Sequence, residues 1–324
     1  MSLTRRHVLS LGAAFGAGAA LPTWAQGKPL FDTLNMFVPA APGGGWDGTA
    51  RAIERAAKAA GLVGNMPFEN VGGAGGMVGL PRYVNQRKGQ GNSLMVGGSV
   101  MVGAAIANKS PVTMRNVTPI ARLTEEAGVV AVPAGGKFKT WKDLEAALKA
   151  NPKAVPVAGG SAGGTDHLLL GMIIKALGGN ARDAAYVAFA GGGPANAAIL
   201  GGQVAAGISG WSEFEAQIAA GKMVALAVSG NRRIPGVDVP TLSELGVKVT
   251  AANWRGVFAP PGITKPQRDA LTEFVTKLHD SAAWKQELQT RKWTDVFLTD
   301  AAFEREIDAD IRETEQVMKD LGLA

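Results

Sequence analysis

Cysteine is absent from this 324-residue chain, and histidine occurs only three times. Without thiols there is no disulfide framework, no thiol nucleophile and no cysteine metal site, so ordinary hydrophobic cores must carry the stability. His7 lies in the N-terminal leader described below, which leaves His167 and His279 for acid–base or metal chemistry. Carboxylates do not gather around them at ligand spacing, and no metal site is expected. After Ala25 there is no apolar stretch of the roughly 20 residues that a bilayer span takes, which predicts a soluble mature chain. The formal net charge of +6 is spread without the basic stripe that nucleic acid demands.

The first 25 residues read as a leader. Arg5 and Arg6 precede a soft apolar run from Val8 to Ala20, and Thr23-Trp24-Ala25 closes it with small residues. Basic start, short apolar middle and small-residue end form a secretory signal, and the paired arginines read as a twin-arginine type. Gly12, Gly16 and Gly18 make the segment a poor folded helix. Cleavage after Ala25 would remove two positive charges and no negative one, leaving +4.

What the chain has in excess is glycine, 44 residues in all. Several clusters stand between a strand-like run and a helical pattern, where the backbone can come close to a ligand. Strands are expected at Asn35–Val38, Met66–Asn70, Leu94–Gly97, Thr118–Leu123, Val129–Pro133, Val155–Ala158, Ala185–Phe189, Val204–Ser209, Ala225–Ser229 and Trp254–Ala259. Helices are expected at Asp47–Ala60, from a Thr140/Asp143 capping box to Ala150, and from Thr165 to Leu177. A further helix opens at Thr264-Lys265-Pro266-Gln267, with Leu271, Phe274, Val275 and Leu278 on one face. Phe303, Ile307, Ile311 and Met318 mark a last one. Such alternation predicts α/β layers with largely parallel sheets. The length suits two domains. With no repeat and no low-complexity linker in the sequence, paired crossing segments should join them. The stretch from Trp254 to the end should return to the earlier domain.

Two motifs suggest enzymes. Gly43-Gly44-Gly45-Trp46-Asp47-Gly48 fits GxGxxG, with Glu69 as a ribose-binding acid, and twin-arginine export would suit a cofactor enzyme. However, Pro39-Ala40-Ala41-Pro42 separates the strand from the glycines, and a dinucleotide turn needs its first glycine at the strand end. No cofactor is expected. Gly159-Gly160-Ser161-Ala162-Gly163 fits GxSxG, but His167 follows Ser161 too closely and His279 sits beside Asp280 in an amphipathic helix. Neither is a convincing triad base. The simpler chemistry is anion capture: a glycine turn opening a helix presents free N–H groups and partial positive charge. Asp47 would cap the first such helix. Ser161 and Thr165 would add hydroxyl donors to the second, with His167 orienting that loop or donating. Trp46, Trp211 and Trp254 lie at loop or strand-end positions where they could wall a cleft, but tryptophans so placed are more often core. Arg255 suits a carboxylate by its fork geometry, or an interdomain salt bridge.

Taken together, these segments resemble the substrate-binding proteins of tripartite tricarboxylate transporters, the Bug/TctC family, from about Asn35 to Ala324. The similarity is carried by Val38-Pro39-Ala40-Ala41-Pro42-Gly43-Gly44-Gly45-Trp46-Asp47, Phe68-Glu69-Asn70-Val71-Gly72-Gly73-Ala74-Gly75-Gly76 and Ala158-Gly159-Gly160-Ser161-Ala162-Gly163-Gly164-Thr165-Asp166-His167. Phe189-Ala190-Gly191-Gly192-Gly193, Gly201-Gly202-Gln203-Val204, Val239-Pro240-Thr241-Leu242 and Asn253-Trp254-Arg255-Gly256-Val257-Phe258-Ala259-Pro260-Pro261-Gly262 complete it. Trp46-Asp47 and Asn253–Gly256 resemble the TctC branch, associated with citrate-like acids. Gly159-Gly160 and Asp166 depart from the family's serine-rich versions.

The resemblance implies a type II periplasmic-binding-protein fold: lobe 1 from residues 26–128 plus 254–324, lobe 2 from 129–253, and a ligand between them. It implies a ligand site at Gly43, Gly44, Gly45, Trp46, Asp47, Ser99, Ser161, Gly163, Gly164, Thr165, His167, Ala190, Gly191, Gly192, Ser209 and Arg255. The expected protein is a periplasmic, monomeric, non-catalytic receptor. It would take a small di- or tricarboxylate to membrane transporter subunits, or to a sensor kinase as the alternative. An exported nucleotide-dependent oxidoreductase is the remaining rival.

Overall fold

The computed structural model describes residues 28–323, so the leader read at residues 1–25 lies outside it. The first half of the chain alternates strand and helix. β1 (Phe31–Thr33) and β3 (Val63–Asn65) form a small parallel ribbon at the side. β2 (Asn35–Val38) leads to α1 (Gly45–Ala59), β4 (Phe68–Asn70) to α2 (Gly79–Gln86), and β5 (Ser93–Gly98) to α3 (Ser99–Ala107). β6 (Thr118–Pro133) then leaves this unit.

The next unit holds α4 (Trp141–Ala150), β7 (Val157–Gly159), α5 (Thr165–Ala176), β8 (Tyr186–Ala188), α6 (Gly192–Leu200), β9 (Ala206–Gly210), α7 (Trp211–Ala219) and β10 (Met223–Val228). β11 (Ala252–Ala259) returns to the first unit. It is followed by α8 (Lys265–Asp280), α9 (Ala282–Arg291), β12 (Thr294–Thr299) and α10 (Asp300–Leu321).

The two units share one topology. In the first the order is β4-β2-β5-β11-β6, and in the second β8-β7-β9-β6-β10. In each, three parallel strands are followed by an antiparallel strand that arrives from the other unit. β6 pairs with β11 through Ala127 and with β9 from Gly128 onward, so one continuous strand serves both sheets. The topological repeat leaves no trace in the sequence. It is a repeat of connections, and the side chains filling the two cores differ.

The long β6 replaces two strands expected at Thr118–Leu123 and Val129–Pro133. Thr124, Glu125 and Glu126 break the apolar run, yet β11 and β12 flank this stretch and the ladder continues through it. β12 was not expected, and neither were the short β1 and β3. Elsewhere the local signals hold. Thr140/Asp143 and Thr264/Gln267 form the capping boxes of α4 and α8, and Leu271, Phe274, Val275 and Leu278 are all buried.

Separate apolar clusters fill the two units. α10 spans both: Phe303, Ile307 and Ile311 join the first core, while Met318 and Leu321 pack with Leu168 and Ala181 of the second. Burial of a side chain of this size contributes about 1.5–3 kcal/mol, enough for the last turns of α10 to tie the units together.

Candidate ligand cleft

The shared topology points the C-terminal ends of β2, β4 and β5 at those of β7, β8 and β9. In open α/β sheets this is where ligands bind. The space between them is a cleft of about 590 Å³, counting its open mouth. One side presents Pro39, Ala40, Gly44, Gly45 and Trp46 after β2, Gly73, Gly75 and Gly76 after β4, and Val100 after β5. The other presents Gly160, Ser161 and Asp166 after β7, Ala190, Gly191 and Gly192 after β8, and Ser209 and Glu213 around the end of β9. Asn253 and Arg255, from the crossing strand β11, form the floor. The two sides touch: a methyl group on Gly191 would meet Gly44 Cα at 3.9 Å, and one on Gly75 would meet Ser161 Cβ at 3.2 Å.

Of the residues expected in the site, Gly44, Gly45, Trp46, Ser161, Ala190, Gly191, Gly192, Ser209 and Arg255 line this cleft. The others stand behind it. Gly43 donates its N–H to Asp47 Oδ2 at 3.0 Å. Asp47 is buried beneath the turn, where Asn70 Nδ2 donates to Oδ1 at 3.0 Å and Arg51 stands 3.5 Å away. Burial alone would raise the Asp47 carboxyl, but the bonds from Gly43 and Asn70 and the charge of Arg51 outweigh it and hold the pKa below 3.8. Asp47 therefore shapes the turn as an anion. Ser99 Oγ accepts from Trp254 N at 3.1 Å, fastening α3 to β11.

Gly163, Gly164, Thr165 and His167 also fall outside the lining. Gly163 packs on Gly103 and Ala107 of α3, and Gly164 N donates to Ser161 O at 3.0 Å. Thr165 Oγ1 lies 3.5 Å from Asp166 Oδ1. His167 Nδ1 accepts from Gly163 N at 3.1 Å, and its ring stacks on Tyr186 at 4.4 Å. Burial lowers its pKa, so it stays neutral and acts as a brace for the loop. His279 lies between Asp280 and Asp295 on α8. Glu69 is ion-paired with Arg82 and Arg87. Trp254 is buried, its Nε1 donating to Asp310 at 3.1 Å, and Trp211 is core.

The floor is the chemically distinctive part. Arg255 is buried, and its Nη1 lies 2.7 Å from Glu126 Oε2. The separation is that of an ion pair, but the N–H is not in line with the oxygen. Arg255 Nε and Nη1 and Glu126 Oε2 have no hydrogen-bond partner among the described residues, and neither has Asn253 Oδ1. Asn253 and Arg255 are two apart on a strand and so share a face. Gly45 stands directly above them: a Cβ there would lie 2.6 Å from Arg255 Nη2, and the guanidinium would have to shift. This places the guanidinium directly beneath the first turn of α1, whose leading N–H groups have no carbonyl within the helix.

Glu213, Asp166 and Asn253 are the polar lining residues that the sequence reading passed over. Glu213 accepts from Ser209 Oγ at 2.8 Å, and its carboxyl packs so closely on Gly192 that a Cβ would collide with it. Asp166 Oδ2 accepts from Gly160 N at 2.9 Å. A rule was available: every strand-to-helix junction on the C-terminal side of these sheets faces the cleft. Glu213 sits in the first turn after β9, just as Asp166 does after β7.

Two α/β lobes with this strand order, linked by two crossing strands and holding a cleft at the strand ends, make a periplasmic-binding-protein-like fold. The chain belongs to the tripartite tricarboxylate transporter family of receptors, TctC, whose family model matches residues 51–323. It is 29% identical over 252 residues to BugT of Bordetella pertussis, covering 76% of each chain. It is 27% identical over 310 residues to a UPF0065 protein of Agrobacterium vitis, covering 93% of this chain and 88% of that one. Among solved structures, the periplasmic binding protein BugD superposes with a TM-score of 0.79 at 25% identity, over 90% of this chain and 98% of BugD. MatC from Rhodopseudomonas palustris, solved with bound malate, gives 0.77 at 25% identity, over 89% and 99%. The family and these neighbours are binding proteins, so the chain is a solute receptor and not an enzyme.

Proposed function

We propose that the chain captures a small di- or tricarboxylate in the cleft between its lobes and delivers it, outside the cytoplasm, to the membrane subunits of a tripartite tricarboxylate transporter. The observation that carries this reading is Arg255: a buried cation on the cleft floor with two N–H-bearing nitrogens unpartnered, set beneath the free amides of α1. A carboxylate there would receive charge-assisted hydrogen bonds from the guanidinium and from the Gly45 turn. The malate held by MatC supports the same ligand class. In this reading residues 26–128 with 254–324 form one lobe and 129–253 the other. The hinge lies in β6 and β11, and a leader at residues 1–25 directs export. The receptor acts as a monomer.

The test is a thermal-shift and calorimetry panel of malate, succinate, citrate and aspartate, with NAD as a control. A ligand present at 100 times its dissociation constant adds about 2.7 kcal/mol of stability. A shift with at least one di- or tricarboxylate and none with NAD is expected. A shift with NAD alone would overturn the reading.

A further inference from the structure

The cleft of an anion receptor should not show two free negative charges, yet Asp166 and Glu213 both line it. Arg255, on the floor, attracts both but also stands 2.7 Å from Glu126, so its single positive charge is shared among three carboxyl groups. Two ionised carboxylates facing a bound dianion in a closed cleft would repel it strongly, since water is no longer there to screen them. Gly160 N holds Asp166 Oδ2 and Ser209 Oγ holds Glu213 Oε2, while Thr165 Oγ1 lies 3.5 Å from Asp166 Oδ1 and Glu213 Oε1 packs on Gly192.

Resting on the carboxylate-receptor reading above, we propose that Asp166 and Glu213 meet the ligand as carboxylic acids. Each donates an O–H hydrogen bond to a ligand carboxylate on the lobe 2 side, so that capture draws protons from the solvent. The receptor's specificity is then for acids with at least two carboxylates: one over Arg255 and the α1 turn, another against Asp166 and Glu213.

The surroundings pull both ways, and burial with like charge outweighs the hydrogen bonds and Arg255 at both carboxyls. Around Asp166 stand the Gly160 amide, the Tyr186 hydroxyl (which donates to Gly160 O at 2.8 Å), Glu213 and Arg255. His167, on the same helix, turns away to Gly163 and is neutral. Around Glu213 stand Ser209, Gly192, Glu126 and Arg255. Burial raises the Asp166 carboxyl to about 7, with the charge of Glu213 adding to it. Burial and the charge of Glu126 likewise raise Glu213, against the pull of Arg255. A second anion in the cleft pushes both further the same way.

The experiment is calorimetric titration of the full-length mature chain with malate and with succinate from pH 6.5 to 8.5, in pairs of buffers with different ionisation heats. Uptake of one proton per ligand makes affinity rise by up to tenfold per pH unit lowered. The expected result is at least about tenfold tighter binding at pH 6.5 than at 8.5, with a buffer-dependent heat showing net proton uptake. Asp166→Asn and Glu213→Gln keep a donor at every pH and should flatten this dependence, binding more tightly than the wild type at pH 8.5. The wild-type proton count stands on its own if either variant fails to fold. Dicarboxylate binding that is independent of pH, that weakens as pH falls, or that is lost with EDTA would overturn the proposal and leave the receptor reading intact. No binding of malate or succinate at any pH would overturn the proposal and also count against that reading.

Discussion

Arg255 and Glu126, on adjacent crossing strands, form an ion pair of 2.7 Å whose side chains are only 2% and 1% exposed. The pair lies where β6 passes from one sheet to the other. Glu126 is tied to lobe 2, accepting from Ser212 N at 2.7 Å. Arg255 lies under the first turn of α1 in lobe 1. The crossing strands thus carry a charge couple that links the two units.

Removing one partner leaves the other charged and buried, which costs about 3–5 kcal/mol, whereas replacing both with apolar side chains of similar volume is often neutral. Arg255→Leu should therefore lower stability by about that amount in urea unfolding. Adding Glu126→Leu should restore most of it. Carboxylate binding should be lost in both. A double variant no more stable than the single one would contradict a coupled pair, and binding retained by either would remove Arg255 from the ligand site.

Gly45 separates packing from binding. Alanine at a helix position is about 1 kcal/mol better than glycine, but a Cβ here would press on Arg255 Nη2 at 2.6 Å and Cζ at 3.1 Å. Gly45→Ala should displace the guanidinium and weaken malate binding at least about tenfold, which corresponds to roughly 1.4 kcal/mol. The helix gain should keep the melting temperature of the free protein within a few degrees of the wild type. Unchanged affinity would mean that the position of Arg255 is irrelevant to the ligand.

Legibility in the sequence followed the range of each interaction. Caps, apolar faces and glycine turns are local, and α4, α8 and the glycine turn before α1 could be read directly. The unity of β6 was hidden because Glu126 is polar by composition and buried only through its pairing with Arg255, well over a hundred residues away. Likewise, Gly163 and His167 share the motif of Ser161, but the loop turns Gly163 onto α3 and His167 onto Tyr186. Asp166 and Glu213 look like ordinary first-turn acids, good for a helix dipole. Only the assembled sheets bring both to one wall.

The end of α10 makes a separate claim. Leu321 and Met318 are buried against Leu168 and Ala181 in a cluster apart from the two main cores. Leu321 also covers Gly171 of α5, where an added Cβ would meet it at 3.0 Å. Leu321→Ala should cost about 2 kcal/mol, the lower end for a buried leucine, because the site lies near the chain end and can partly collapse. Hydrogen exchange should speed up first in α5 and the last turns of α10. Uniform acceleration across both lobes would mean that the contact is no local tie.

Asp166 also sets a pH dependence in the free protein. Its carboxyl titrates near 3.8 when exposed and is raised to about 7 in the fold, chiefly by burial. Below 3.8 it is protonated in both states and carries no penalty. As pH rises toward 7 the unfolded chain releases the proton while the native state retains it, so native stability falls; above 7 both are ionised and the loss is complete. Asp310, raised by burial to about 6, acts in the same direction, so the comparison must be with a variant and not across pH alone. Asp166→Asn keeps the acceptor for Gly160 N and removes the titration. Its melting temperature should gain on the wild type steadily from pH 4 to 7 and hold that margin above 7. A margin constant across the range would mean that Asp166 ionises as an exposed carboxylate does. The cleft would then present its negative charge to any ligand at neutral pH.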